Sequence, residues 1–197
     1  MDAVRVSALR EQLAGTGWPE SALVFAGALR RSVGRRTARG LLLVGTEAYE
    51  PWHLAAHLDE EATRSGVARL APTLLRHRVE PGAPAHLSYG LRGLTEARRG
   101  ATVLLVAPAA AEAPLLERVQ DARRSGATVL ALDSGDSELT GLAHERLTVP
   151  VADPAAALLA AEPFELVQHL VSSATGSPGS RLARLAERLA GPPVAHW

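Results

Sequence analysis

The sequence contains no cysteine among its 197 residues. That removes disulfides, thiolate nucleophiles and thiolate zinc ligands together, and it argues against a small bridged secreted domain. Lysine is missing as well, since all 21 basic residues are arginine. A Schiff-base amine and a phosphate-loop lysine are therefore impossible. Aromatic residues make up only 4% of the chain, so each is first of all a packing group. An excess of either charge is also lacking: 21 basic residues face 21 acidic ones, and the sequence pI is about 7.1. No overall field concentrates nucleic acid or an anionic membrane around such a chain, and neither is an expected partner. No apolar run approaches the roughly 20 residues of a membrane span. The opening MDAVRVSALREQL places an acid at position 2 and interrupts its apolar residues with Arg, Glu and Gln, which is not the layout of a signal peptide. A cytoplasmic location is expected.

What is present is a chain 47% hydrophobic, long enough to bury one sizeable core, so a single domain over 1–197 is expected. Residues 3–14 and 19–38 read as leading helices, the second opened by Pro19 and holding Leu23, Val24, Ala28 and Leu29 at helical spacing. GLLLVG, residues 40–45, is a short apolar run closed by glycine at both ends, the form of a strand buried on both faces. Pro51 to Ser65 predicts a helix with Gly66 just past its end. Ala68–Leu75 predicts a second strand, which Pro72 demotes to an edge or an irregular strand. EPGAP, residues 80–84, is a turn, and a helix is expected over 85–98. ATVLLVAP, a helix over 111–125 ended by Gly126, then ATVLALD and ERLTVPV give a parallel-sheet rhythm whose right-handed crossovers place helices on two faces. Asp153-Pro154 reads as a cap and first-turn pair, Glu162-Pro163 as a restart before a helix over 164–174, and SRLARLAERLAG, residues 180–191, as an amphipathic helix. The fold class is α/β: a three-layer αβα sandwich around a doubly wound, mainly parallel five-stranded sheet over 40–151, with leading helices in 1–39 and closing helices in 152–197.

Strands beginning near 40, 102, 127 and 145, two leading helices and a closing helix follow the layout of the sugar-isomerase (SIS) domain, and residues 101–150 are similar to the second half of that family. Within it the phosphoheptose isomerases are the nearest likeness, because HLDEE at 57–61 resembles their His-x-x-x-Glu helix. The resemblance implies a sugar or sugar-phosphate ligand, a homodimer or homotetramer paired through outer helices, and, if the enzyme is active, aldose–ketose isomerisation. It also implies a zinc site drawn from His57 and Glu61 with Gln168 and His169 of the closing helix, although the spacing of the last two differs from the family's.

In an open parallel sheet, ligands sit beyond the carboxyl ends of the strands where strand order reverses. Gly45, Thr46 and Glu47 after the first strand, residues 107–112 after the third, and Asp133 and Ser134 after the fourth would build that crevice. SIS proteins carry a Ser-x-Ser-Gly-x-Thr-like loop after the third strand, whose hydroxyls and amides hold the sugar phosphate. This chain has Ala107, Pro108, Ala109, Ala110, Ala111 and Glu112 there. The hydroxyls are gone, Pro108 has no amide proton, and Glu112 sets a negative charge where an anion would bind. Each lost charge-assisted hydrogen bond costs on the order of 1.5 to 3 kcal/mol, so phosphate recognition at this loop is expected to be weak.

His53, His57 and Glu61 recur every four residues and share one helix face. The first and last are separated by about 12 Å of rise, too far to hold one ion from a straight helix. They line either a site, with Glu61 as base and His57 as polariser, or a solvated border beside Leu54, Leu58 and Ala62. Glu60 reads equally well as the acid. Asp133 and Ser134 alternatively form a capping turn, Gly45 alternatively serves only the backbone bend, and Tyr49 and Trp52 either stack on a ligand or pack. His77, between Arg76 and Arg78, reads as a surface residue without assigned function. Two functions follow: an isomerase-like enzyme, or a noncatalytic SIS-type protein that acts as a ligand sensor or assembly partner.

Overall fold

Ten elements follow one another in the computed structural model, which describes residues 17–149 together with Phe164, Val167, Gln168, Val171, Ser172 and Thr175. Helix α1 spans Trp18–Gly34 and strand β1 spans Gly40–Gly45. Helix α2 covers Trp52–Ser65, with buried Leu54, Leu58, Glu61 and Ala62 one or two turns apart on one face. Gly66, at φ 71°, takes the left-handed conformation that ends it. Strand β2 is Pro72–Leu75, preceded by a single 3₁₀ turn over Ala68–Leu70. Helix α3 is the short Arg92–Glu96, followed by β3 (Ala101–Ala107), α4 (Ala113–Arg124), β4 (Thr128–Asp133), α5 (Glu138–Leu142) and β5 (Glu145–Thr148).

The five strands form one all-parallel sheet in the order β2-β1-β3-β4-β5. Central β3 is buried at all seven positions, as a strand covered on both faces must be. Pro72 opens the edge strand β2, where its missing donor does not interrupt an inner ladder. One hydrophobic cluster joins α1 and α2 to the sheet through Leu29, Leu41, Leu43, Leu58 and Leu104. The other packs α3, α4 and α5 on the opposite face through Leu94, Val103, Leu105, Val119 and Leu139. This is the doubly wound, three-layer arrangement expected from the sequence. Phe164, Val167, Gln168, Val171 and Ser172 have helical backbone and are buried, and the three apolar ones join the α1/α2 cluster. The remaining expectations for 3–14, Asp153-Pro154, Glu162-Pro163 and 180–191 fall outside the described residues.

The expected helix over 85–98 does not form. A 3₁₀ turn covers Ala85–Leu87 and α3 only Arg92–Glu96, because the backbone between them is used to extend the sheet edge. Arg76 donates its amide to Tyr89 O at 2.9 Å, and Arg76 and Gly90 form an isolated parallel bridge. Gly93 then lies against Leu75, where a Cβ would come within 2.8 Å of Leu75 Cδ2. The expected 19–38 helix also stops early, at Gly34, after which Arg35 is extended and the chain turns into β1.

Candidate functional site

In the order β2-β1-β3-β4-β5 the chain leaves β1 toward one edge and β3 toward the other, so the switch point lies between the carboxyl ends of β1 and β3. From β1 come Gly45, Thr46 and Glu47. Gly45 cannot carry a side chain, since a Cβ there would lie 1.8 Å from Tyr49 O and 2.8 Å from Pro51 Cδ. The reason is the tight turn that follows, closed by Tyr49 N–H to Thr46 O at 3.1 Å, with Thr46 buried. From β3 comes the loop ending at Glu112, whose backbone is extended (φ −72°, ψ 143°) and whose side chain does not cap its own helix.

Glu112 instead reaches across the switch point. Its Oε1 accepts the amide proton of Glu47 at 3.1 Å, while its Oε2 is buried with no hydrogen-bond partner among the described residues. The neighbouring Ala111 amide, at the entrance of α4, donates to Asp136 Oδ2 at 2.9 Å. Two of the amides that the crevice could turn toward an anion are thus held by the chain's own carboxylates. Ala109 is exposed beside them.

Asp133 lies at the same sheet edge, fully buried and bonded on both oxygens by Arg146 at 2.6 Å. It also accepts the Gly135 amide at 2.7 Å. This bidentate bond raises the Arg146 pKa further above its usual range. Arg146 is diagonal to Asp133 on one sheet face, because it pairs with Ala131, two residues earlier in β4. The same guanidinium reaches Thr140 Oγ1 at 2.7 Å and Asp136 O at 2.8 Å, fastening α5 to the sheet. Asp133 therefore organises the edge. Ser134 donates its amide to Ala107 O at 3.2 Å and ties the exits of β3 and β4 together.

On the β2 side the structure adds His77, Arg76, Arg78 and Glu50, which the sequence did not single out as functional, to Glu47, Tyr49, Trp52 and Gln168, which it did. His77 Nε2 donates to Gly45 O at 3.0 Å, a contact that fixes the tautomer because a carbonyl only accepts. Arg76 pairs with Glu50 at 3.2 Å and lies 5.1 Å from the ring centroid of Trp52, which is 40% exposed. Arg78 pairs with Glu47 at 3.0 Å. Tyr49 packs edge-on to Phe164 at 6.2 Å, and its hydroxyl accepts from Gln168 Nε2 at 2.8 Å. For Arg76, His77 and Arg78 the sequence signal was their place directly after a strand.

Glu61 is brought elsewhere. It sits on the buried face of α2, nine residues after Trp52, about 14 Å of helical rise from the end of α2 that adjoins the switch point. Its Oε2 accepts from Arg64 at 3.1 Å, and Oε1 is buried without a partner among the described residues. Burial pushes its pKa up, Arg64 and Arg30 pull it down, and Glu60 pushes it up again. Glu60 itself is exposed and paired with Arg64. His57 is half-buried and His53 exposed. Among the described residues no three His, Asp or Glu side chains come together in a group that could hold a metal. Gln168 is buried against Tyr49 and Phe164 O, and His169 lies outside the described residues.

No family model and no curated protein matches the sequence. Solved structures do. A proposed phosphosugar isomerase from Silicibacter pomeroyi DSS-3 matches with a TM-score of 0.55 at 16% identity, over 94% of this chain and 53% of that one. This chain thus spans about half of that protein's length. The sugar isomerase domain of the RpiR transcription factor from Sphaerobacter thermophilus matches with a TM-score of 0.49 at 16% identity, over 84% of this chain and 82% of that one. The Vibrio vulnificus NanR protein, solved in complex with ManNAc-6P, matches with a TM-score of 0.47 at 14% identity, over 90% and 69%. At such identities the backbone is what is shared: the chain has the fold of a sugar-isomerase (SIS) domain.

Proposed function

We propose that this chain is a carbohydrate-derivative-binding protein that works by binding, as a ligand sensor or assembly component, at the switch point between β1 and β3. The observation that carries this reading is Glu112. A buried carboxylate oxygen without a donor is costly, and a sugar hydroxyl supplies the donor it lacks. A phosphate at the same place would meet the Glu112 charge, and the amides of Glu47 and Ala111 already serve carboxylates. The ligand favoured here is therefore a sugar or amino sugar held by its hydroxyl or ammonium groups, with a phosphate, where present, directed out of the crevice. Homodimer or homotetramer formation belongs to the same proposal, and Val24, 66% exposed on α1, would lie in its seam.

Thermal unfolding against free sugars, amino sugars and sugar phosphates tests it, because native-state binding raises apparent stability by mass action. A neutral or amino sugar should raise Tm, and Glu112→Gln should weaken that ligand about tenfold by replacing the unpartnered acceptor with a donor. A shift given only by sugar phosphates and unchanged in Glu112→Gln would overturn the proposal.

A second reading, aldose–ketose isomerisation, is favoured by Glu61 alone, whose buried carboxyl has a raised pKa suited to moving a proton between adjacent carbons. His57 would polarise the carbonyl, and zinc, if bound, would act as Lewis acid there. Turnover of a sugar phosphate that vanishes in both Glu61→Gln and His57→Ala, assayed with and without zinc, would establish it.

A further inference from the structure

The opposite end of the sheet holds a cavity of about 380 Å³ lined by Ser32, Arg35, Thr37, Arg99 and Thr128. It belongs to the amino ends of the strands: the turn entering β1 supplies Arg35 and Thr37, the turn entering β3 supplies Arg99, and Thr128 begins β4. Among the described residues no carboxylate lines it. Arg35 and Arg99 make no ion pair and no side-chain hydrogen bond among the described residues, which sets them apart from Arg76, Arg78, Arg124 and Arg146. The nearby acids Glu96 and Asp121 face Arg92 and Arg124 instead.

The walls are held firmly. Gly100 (φ 92°) is pressed so closely on the turn into β1 that a Cβ would come within 2.2 Å of Thr37 O, and the Arg39 amide donates to Gly100 O at 2.7 Å. Gly126 (φ 93°) lies against the Arg99 backbone, with a Cβ position only 3.4 Å from Arg99 Cα. Three strand-entry turns are thus locked to one another around two guanidinium groups that make no ion pair among the described residues, and the hydroxyls of Thr37 and Thr128. Guanidinium forks match phosphate oxygens bidentately, and hydroxyls complete the donor set. The volume exceeds what one phosphate needs, since a water in the liquid takes about 30 Å³, and it leaves room for the molecule that carries the anion.

We propose that this amino-edge cavity is a second ligand site, for a small phosphate-bearing anion gripped by Arg35 and Arg99. It is separate from the switch-point crevice and does not depend on what binds there.

Isothermal titration of the whole chain with inorganic phosphate, pyrophosphate and ADP tests the site. Saturable binding of pyrophosphate or ADP is expected, weakened about tenfold by Arg35→Gln and by Arg99→Gln, each of which removes one charge-assisted contact. Arg36→Gln removes the same charge from the next residue, which does not line the cavity, and should change affinity less than about twofold. ADP binding more tightly than pyrophosphate identifies a phosphate ester as the source, and pyrophosphate binding as well as ADP identifies free phosphate; either supports the site. Absence of saturable binding by all three probes overturns it. So does an Arg36→Gln loss equal to that of Arg35→Gln, which would mean a diffuse field, and so does citrate binding as tightly as pyrophosphate. Both cavity arginines are exposed, so an unchanged Tm without ligand confirms that the variants remain folded.

Discussion

The two ends of the parallel sheet carry opposite chemistry although the chain as a whole is neutral. At the carboxyl end Glu47, Glu50, Glu112, Asp133 and Asp136 gather, and the arginines among them are taken up: Arg76 by Glu50, Arg78 by Glu47, Arg146 by Asp133. At the amino end Arg35, Arg36, Arg39 and Arg99 stand exposed and make no ion pair among the described residues, and they outnumber Glu145, the acid that opens β5. Parallel topology explains the separation. Every strand-entry turn must fall on one edge and every exit loop on the other, so a bias between the two kinds of turn becomes two faces of different sign. Net charge, which excluded a general attraction for polyanions, is silent about such a division.

The largest effect that can break this comparison is expected at the carboxyl end. Arg146→Ala leaves the fully buried Asp133 without its bidentate partner, and removing one member of a buried pair costs about 3 kcal/mol or more. Urea denaturation should show that loss together with earlier exchange of the β5 amides. A loss below about 1 kcal/mol would mean that the Asp133 cluster does not hold this edge.

Next come the two glycines that fix the ends. Gly45→Ala meets Tyr49 O at the crevice, and Gly100→Ala meets Thr37 O at the cavity with a positive φ in addition. Each should cost about 2 kcal/mol, and each should disturb only its own end: Gly45→Ala sugar binding, Gly100→Ala phosphate binding. Cross-talk between the ends, read by titrating both ligands with both variants, would show that they are one site energetically.

Much of this scaffold was legible beforehand. GLLLVG had the form of a buried strand, Pro51 and Gly66 bracketed α2, and Pro72 marked β2 as an edge or irregular strand. The switch-point residues could be named because the carboxyl ends of β1 and β3 follow from strand order alone. Helix 85–98 failed because the Arg76–Gly90 bridge is a long-range event that overrides local propensity. Asp133 was placed at the right edge, but its partner required the β4–β5 register, which puts Arg146 beside Ala131. The arginine cavity escaped notice because its residues come from three turns that only the folded sheet brings together.

A smaller effect concerns Glu61, between the two ends. Its pKa is raised by burial, which outweighs the pull of Arg64 and Arg30. The folded state then binds the proton more tightly than the unfolded state, so stability falls as pH rises from the ordinary glutamate range through the raised value, and is regained on acidification. Glu61→Gln should flatten that part of the pH–stability profile and raise Tm at pH 7. A steeper profile in the variant, or a Tm that falls at pH 7, would mean that the Arg64 ion pair dominates and that Glu61 is held as a charged group.

The smallest effect belongs to the exposed pair at the crevice rim. Arg78 and Glu47 lie 3.0 Å apart with side chains 82% and 56% exposed, and such pairs contribute less than about 0.5 kcal/mol. Arg76 and Glu50 are closed off to 19% and 22%, and Arg76 also covers Trp52, so about 1 kcal/mol is expected there. Double-mutant cycles on the two pairs, repeated at 1 M salt, separate them: the outer coupling should vanish and the inner one persist, because salt screens exposed charges far more than enclosed ones. Equal couplings would mean that the β2 side of the crevice is uniformly solvated. Arg76 would then be as available to an incoming anion as Arg35 and Arg99 are, and the contrast between the two ends would reduce to the Glu112 and Asp133 side alone.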